Sequence, residues 1–250
     1  MTGYTVASIT YGMKQFYLFL LCILSLPIFS QAYEGNPCAL YQNPTLKKQI
    51  EAGFIPSIRF NGMEVYSNLQ SWATSSLKPD TKKPTPNKGE EDFEYKERVD
   101  AWTCMYTPFA LTDYDTKTAW VEGVKDDGIG ETVFARLDST KPVLIWAGYG
   151  KSQGLFEANG RPKKVKVTVW AGKKGEDPGA QWESFDASNI KAIASHEIEL
   201  ADKNNYQPLP LPKHSLKADD TFTLVSVTIL SVYKGKKYPD TAISEIKNKD

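Results

Sequence analysis

The sequence predicts a mostly β protein whose strands form an antiparallel sandwich. From about residue 101 onward, short β-rich runs are separated by turn residues. The run KKVKVTVW alternates valine with lysine or threonine, which is typical of a strand with one buried face. KPVLIWAGY and TFTLVSVTILSVY are apolar on both parities, which indicates central strands covered on both faces. No run longer than about 12 residues keeps a helical period, so helices contribute little to this prediction.

The chain begins with a segment that predicts export. Residues 1–32 contain a lysine followed by the apolar run FYLFLLCILSLPIF, which ends with small Ser30 and Ala32 at the positions that a signal peptidase reads. About 14 apolar residues are too few to span a bilayer comfortably, so we expect no membrane span. Met13 fits a signal start better than Met1 does. A lipoprotein would be modified at Cys22, but leucine precedes it where a small residue is expected. We therefore expect an exported protein that is periplasmic, on the cell surface or secreted.

Two regions follow the signal. Residues 33–63 form an N-terminal extension with one short helix predicted at residues 44–52, where Gly53 is the stop signal. Residues 64–250 form the main domain. Within it, residues 78–98 hold three prolines and many charges, which predicts an exposed loop or disordered insertion.

Removal of the signal leaves Cys38 and Cys104. Two cysteines in an exported chain can pair without leaving an odd thiol, and this bridge would tie the extension to the main domain. Two separately buried thiols are the alternative, and the sequence leaves both open.

The composition argues against several classes of function. Lys+Arg and Asp+Glu are both 30, which gives no electrostatic reason to expect nucleic acid as a partner. The only histidines are His196 and His214, and no G-x-S-x-G elbow surrounds a serine. Neither histidine has a second zinc ligand at motif spacing, and no phosphate-binding glycine motif is present. We therefore expect a protein that is not an enzyme.

The stretch DYDTKTAWVEG, residues 113–123, places two carboxylates one residue apart. A glycosidase pair must flank a sugar bond from about 5 to 10 Å apart, whereas side chains at i and i+2 of a tight loop converge on one point. Converging oxygens suit calcium, which binds carboxylates, hydroxyls and carbonyls. Taken locally, the stretch is either a calcium loop or a solvated polar turn.

Several stretches in order carry a resemblance to a known family. ALTDYDTKTAW resembles the D-x-D-x-x-T-x-W turn of discoidin-like (coagulation factor 5/8 type C), galactose-binding-like domains. VEGVKDDGIGE, WAGYGKSQGLFEANGRPKKVKVTV and YKGKKYPDTAISEI resemble the discoidin-like glycan-binding domain found beside bacterial NAD glycohydrolases and in exported bacterial proteins. WATSSLKP is similar to the opening strand of the family. The resemblance covers roughly residues 64–247 and implies a jelly-roll β-sandwich.

The resemblance also implies a structural calcium ion. Its ligands, carried over from the calcium-containing relatives, are Asp113, Asp115, Thr118 and Glu245, and the ion would tie the last strand to the acidic loop. Tyr114 stands where many relatives have glycine. A tyrosine disfavours the positive φ that glycine permits, so we expect the loop to depart from the family at this position.

The implied function is binding of a glycan or cell-surface glycoprotein, in adhesion and without catalysis. No residues remain for an NAD glycohydrolase module. The alternative is a structural or protein-interaction component of a bacterial cell envelope, because fold alone does not fix function. Trp120 and Trp146 are expected in the core. The predicted ligand-binding residues are Tyr149, Lys151, Asn159, Arg161 and Trp182.

Overall fold

The computed structural model describes residues 45–60, 70–175 and 185–249. The helices are α1 (Leu46–Glu51), α2 (Asp92–Thr103) and α3 (Gln153–Ala158), with a 3-10 helix at Pro108–Leu111. The strands are β1 (Phe54–Phe60), β2 (Ser71–Ala73), β3 (Trp120–Val121), β4 (Thr132–Arg136), β5 (Val143–Trp146), β6 (Arg161–Lys174), β7 (Phe185–Glu199), β8 (Gln207–Pro208), β9 (Phe222–Tyr233), β10 (Ala242–Ile243) and β11 (Glu245–Asn248). The predicted signal peptide lies outside the described residues.

The strands form a β-sandwich, as the sequence predicts. A six-stranded sheet has the order β1-β7-β6-β9-β4-β2, and all of its pairings are antiparallel. Two smaller antiparallel sheets, β11-β5-β8 and β10-β3, supply the other layer. The long strands β6 and β9 lie at the centre of the large sheet, which explains why their sequences are apolar over most of their length.

The sandwich core lies between these layers. Val167 of β6 and Val227 of β9 pack in one cluster with Ile145 of β5 and Ile246 of β11, and all four are fully buried. The alternation in KKVKVTVW is confirmed, since its valines are buried and Lys166 is exposed. Thr168, expected on the polar face, is also buried because that face of the sheet is covered as well.

A second cluster, mainly aromatic, covers the other face of the large sheet. The ring of Phe60 lies 4.5 Å from Trp72, 4.9 Å from Phe185 and 4.5 Å from Phe222, measured between centroids. Leu46 of α1 packs into the same cluster. Aromatic rings at these separations add to the stability that burial itself provides.

The N-terminal extension is part of this sandwich where the structure describes it. The helix predicted at residues 44–52 is confirmed as α1, and Gly53 follows it with a φ of 65°. Strand β1 then pairs with β7, with Phe60 opposite Phe185. Residues 54–60 are therefore the edge strand of the large sheet rather than an appendage to it.

The segment at residues 78–98 is more ordered than its composition suggests. Its second half belongs to α2, which continues to Thr103 and buries no residue. A capping box between Glu91 and Glu94 begins this helix, and Arg98 donates to Glu90 at 2.6 and 2.7 Å. A helix held by polar contacts lacks the apolar period that sequence analysis detects.

Candidate functional site

The acidic stretch forms a compact turn beside the last strand. The Asp113 carboxylate accepts hydrogen bonds from the Asp115 N–H at 3.0 Å and the Thr118 hydroxyl at 2.7 Å. Asp115 accepts in turn from the Lys117 N–H at 2.9 Å. Burial raises the pKa of Asp113 above its ordinary value, and the neighbouring charge of Asp115 acts in the same direction.

The expectation for Tyr114 is wrong. This residue adopts a φ of 61°, the left-handed conformation that was expected to need a glycine. Its side chain is 78% exposed, so no packing clash prevents this backbone conformation. The turn therefore adopts a positive φ at some cost in backbone strain.

Glu245 lies at the start of β11 with no exposed surface. Within the described structure, neither of its carboxylate oxygens has a hydrogen-bond partner. The Glu245 pKa is raised to about 9, chiefly by burial and also by the charge of Asp113, while Lys247 and the Tyr114 N–H act in the opposite direction. The Tyr114 N–H is thus close enough to act on the carboxyl electrostatically but makes no hydrogen bond of normal geometry. Burying a carboxyl without a partner is unfavourable, so this arrangement suits a cation.

The residues fit the calcium ion that the family implies. No three His, Cys, Asp or Glu side chains cluster into a metal site among the described residues, so carboxylates alone do not form one. Calcium accepts six to eight oxygens and mixes carboxylates with backbone carbonyls. Glu245 and Asp113 would supply the charge, and carbonyls of the turn would complete the shell. Asp115 helps to hold the turn by accepting from the Lys117 N–H. Thr118 acts on the turn itself, since its hydroxyl bonds to the Asp113 carboxylate.

Two aromatic residues accompany Glu245 on the outer face of the sheet β11-β5-β8. Trp146, expected in the core, is opposite Glu245 in the sheet and only half-buried. Its ring meets Tyr206 edge to face at 5.0 Å, and its indole N–H donates to Asn204 at 3.1 Å. The Tyr206 pKa is raised to about 12, mainly because Tyr206 is partly buried and also because the Glu245 carboxylate is close to it.

Lys247 brings a third ring into this group. Its ammonium lies 4.8 Å from the centroid of the Tyr206 ring and 6.0 Å from that of Tyr114. We call Tyr114, Trp146, Tyr206 and Lys247 the aromatic face. The parity of β5 predicts it, because Ile145 faces the core and its neighbour Trp146 must then face outward. The outward position of Trp146 was not predicted, because residues of both parities in that strand were expected in the interior.

The sequence-predicted ligand residues differ in how exposed they are. Tyr149 is half-buried beside Ala119, Val121 and Ala242, whereas Lys151 is exposed. Trp182 lies outside the described residues.

Asn159 and Arg161 are buried and take part in structural contacts. Asn159 donates its side-chain N–H to the Leu155 carbonyl at 2.9 Å. Arg161 makes a two-pronged ion pair with Asp202 at 2.9 and 2.7 Å. Both polar groups are used within the fold, so neither is presented to a ligand.

The two histidines do not form a hydrolytic site. His196 contacts the Pro210 carbonyl at 2.8 Å. His214 lies 3.0 Å from the Ser139 hydroxyl, but its other ring nitrogen meets the Pro212 carbonyl rather than a carboxylate.

The backbone around Ser139 offers no oxyanion hole either. The Ser139 N–H donates to Thr223, the Thr140 N–H to the Asp138 side chain, and the Lys141 N–H to the Asp138 carbonyl. With these donors engaged, none of the three is available to stabilise an oxyanion.

Cys104 is buried in the aromatic cluster and is disulfide-bonded. Cys38 lies outside the described residues, so its pairing with Cys104 stays a prediction. In the described parts of the chain no helix is long and apolar enough to cross a membrane.

The antiparallel sandwich, with an acidic turn at its last strand, defines a discoidin-like binding domain. The NAD glycohydrolase translocation F5/8 type C domain matches residues 87–249. The chain belongs to this family, which confirms the resemblance seen in the sequence.

Several solved structures are similar at low identity. The CBM32 of AlyQ in complex with 4,5-unsaturated mannuronic acid is 15% identical over 56% of this chain and 84% of that one, with a TM-score of 0.29. CBM32-3 from a family 31 glycoside hydrolase of Clostridium perfringens is 13% identical over 70% and 85%, with a TM-score of 0.33. The arabinofuranosyltransferase AftD from Mycobacteria is 14% identical over 76% of this chain but 11% of its own, with a TM-score of 0.36. Such distant likenesses carry no information on what this chain binds. No curated protein matches the sequence.

Proposed function

We propose that this protein is an exported, non-catalytic module that binds carbohydrate on cell-surface molecules and acts in adhesion. The observation that supports this most is the aromatic face. Two rings, Tyr206 and Tyr114, lie near the Lys247 ammonium, and a third, Trp146, packs against Tyr206 on the outside of a small sheet, where a core would not need them. Sites for small ligands combine apolar and aromatic surface with a few fixed polar groups, and the aromatic face has both.

The arrangement of these side chains suits a sugar. The Trp146 indole is fixed by its hydrogen bond to Asn204, so its ring has little rotational entropy to lose on binding. The C–H face of a sugar ring would pack against Tyr206 and Trp146. The Lys247 ammonium would donate to hydroxyls, because a lysine carries three donors and no acceptor.

A glycan array with the purified protein tests this function. We expect a defined set of glycans to bind, and Tyr206→Ala to weaken the best of them about tenfold, as loss of one well-packed aromatic contact does. Phe93→Ala is the matched control, since Phe93 is 63% exposed on α2 and belongs to no described cluster. An empty array, or equal affinity of Tyr206→Ala and the parent protein, would rule out the aromatic face as the site.

A second candidate function is protein interaction in a cell envelope. It is favoured by α2, a twelve-residue helix that buries no side chain and exposes Phe93. In this case one envelope protein should bind the parent chain and fail to bind Phe93→Ala, while the glycan array stays empty.

We also propose that calcium is a structural cofactor at the turn of residues 113–118. The support is the buried Glu245 carboxylate with no hydrogen-bond partner. The ion would neutralise this carboxylate and hold β11 against the turn, and no chemistry is assigned to it. A calcium-dependent rise in melting temperature is the first test.

A further inference from the structure

A cleft of about 690 Å³ lies between two loops, and none of its lining residues belongs to the aromatic face. One loop, residues 124–129, joins β3 to β4, and the other, residues 234–239, joins β9 to β10. None of the ligand residues predicted from the sequence lines it. We call this space the loop cleft.

The first wall of the loop cleft is fixed by a buried carboxyl. Glu122 has no exposed surface and accepts from the Val124 N–H at 2.8 Å and the Thr241 N–H at 3.3 Å. The Thr241 hydroxyl donates to the Asp127 carbonyl at 2.8 Å. A Cβ at Gly128 would lie 2.5 Å from the Glu122 side chain, so only glycine fits there. The wall is therefore held in one conformation before any ligand arrives.

The second wall is fixed by backbone hydrogen bonds to α3. The Lys236 N–H donates to the Glu157 carbonyl at 2.9 Å. The N–H groups of Lys237 and Tyr238 both donate to the Ala158 carbonyl, at 3.0 and 2.8 Å. Such a preorganised wall lowers the entropy lost on binding.

The charges in the loop cleft are mostly positive. Four lysines line it, Lys125, Lys234, Lys236 and Lys237, against Asp126 and Asp127. Lys236 is paired with Glu157 at 2.5 Å, and Lys237 lies over the Tyr238 ring at 4.9 Å. Among the described residues, Lys125 and Lys234 have no ion pair. Two ammonium groups are thus available to an anion.

The same cleft has apolar surface at its rim. Ile129 and Tyr238 are both lining residues and largely exposed. An anion alone, such as free phosphate, would leave these side chains without a contact. A saccharide with a charged substituent would use both, because its ring has an apolar face.

We propose that the loop cleft is a second binding site, for an anionic saccharide that carries carboxylate or sulfate groups. Lys125 and Lys234 receive the negative group, and Tyr238 and Ile129 pack against the ring. The saccharide nature of the ligand rests on the proposed function, but the site itself does not need the aromatic face.

Binding to four probes tests this proposal: polygalacturonate for carboxylates, heparin for sulfates, polyphosphate as an anion without sugar, and dextran as a neutral saccharide. We expect polygalacturonate or heparin to bind the parent protein, and both Lys234→Gln and Lys125→Gln to weaken that binding about tenfold. Polyphosphate should bind more weakly, since it has no ring to pack against Tyr238. Any binding of dextran should be the same in the parent protein and in both lysine variants.

Lys166→Gln is the matched control, because Lys166 is an exposed lysine on β6 that does not line the cleft. An equal loss of binding in Lys166→Gln would mean that the net charge of the protein, rather than the loop cleft, determines the affinity, and would overturn the proposal. The absence of acidic-saccharide binding, or tighter binding of polyphosphate, would overturn it as well. Tyr206→Ala separates the two proposals: it should weaken array binding at the aromatic face about tenfold and leave binding at the loop cleft unchanged.

Discussion

Glu122 and Glu245 are both carboxyls with no exposed surface, yet their surroundings are opposite. Glu122 accepts two backbone N–H groups, and burial raises its pKa to about 7. Glu245 accepts none, and burial raises its pKa to about 9. The first carboxyl fastens a loop by hydrogen bonds, whereas the second has no hydrogen-bond partner among the described residues, which is the basis of the calcium proposal. Burial of a carboxyl alone therefore does not indicate a ligand site, whereas a buried carboxyl without a hydrogen-bond donor does.

The largest expected effect on stability comes from removing the Glu122 carboxyl. Glu122→Ala should lower the free energy of unfolding by about 2–5 kcal/mol, because it leaves the buried Thr241 N–H and the partly buried Val124 N–H without acceptors and opens a cavity. Chemical denaturation measures this. Asp126→Ala, an exposed carboxylate in the same loop, should stay within about 0.5 kcal/mol of the parent chain. Equal costs for the two variants would contradict the assigned role of Glu122.

The next largest expected effect is stabilisation by calcium at Glu245. Calcium at 100 times its Kd should stabilise the protein by about 2.7 kcal/mol, a rise in Tm of roughly 5–10 °C for a chain of this size. Glu245→Gln and Asp115→Ala should both abolish the rise, while Glu122→Gln should keep it. Identical melting curves with calcium and with chelator in the parent protein would refute the calcium proposal.

A smaller effect should appear in the pH dependence of stability in chelator. The raised pKa means that folded Glu245 holds its proton to about pH 9, whereas the unfolded residue loses it near 4.5. The folded state therefore binds more protons in this window, and stability is lost as the pH rises through it. Glu122 contributes in the same direction only up to about pH 7.

Variants separate the two contributions. Between pH 7 and 9, Glu245→Gln should flatten the fall in Tm and Glu122→Gln should not. Tyr206, the neighbour whose pKa is raised to about 12, does not interfere because it titrates above this window. A fall that persists unchanged in Glu245→Gln would assign it to another group.

The smallest effect concerns the positive φ values beside the two carboxyls. Gly128, next to Glu122, has a φ of 75°, and Tyr114, next to Glu245, has a φ of 61°. Tyr114→Gly should relieve strain and raise stability by at most about 1 kcal/mol, since glycine also gains entropy in the unfolded chain. Tyr114→Phe should leave the Tm unchanged. A clear loss of stability in Tyr114→Gly would mean that the ring itself packs on the fold.

Much of the fold follows from local pattern, and the failures have physical causes. Alternation predicts β6, and the stop glycine predicts the end of α1, because these signals are carried by neighbouring residues. Helix α2 was not predicted, because a capping box and ion pairs stabilise it rather than an apolar stripe. Trp146 was misplaced because its strand is apolar on both parities, and only the second sheet decides which parity meets the core.

The candidate sites divide in the same way. The acidic turn is visible in the sequence, since Asp113, Asp115 and Thr118 are close along the chain. The aromatic face joins β5, β11, the residue before β8 and a distant turn, and the loop cleft joins two loops more than 100 residues apart, so neither has a local signature.

The sequence by itself determined the β-sandwich, its family and the acidic turn, because periodicity, turn residues and short motifs are local properties of the chain. The tertiary structure alone decided that Glu245 lacks a partner, that Trp146 faces outward, that Arg161 is paired to Asp202, and that two lysines in the loop cleft have no ion pair among the described residues. Each of these depends on which groups lie across a sheet or between loops. Burial and hydrogen bonding across such distances are set by packing, which local pattern does not record.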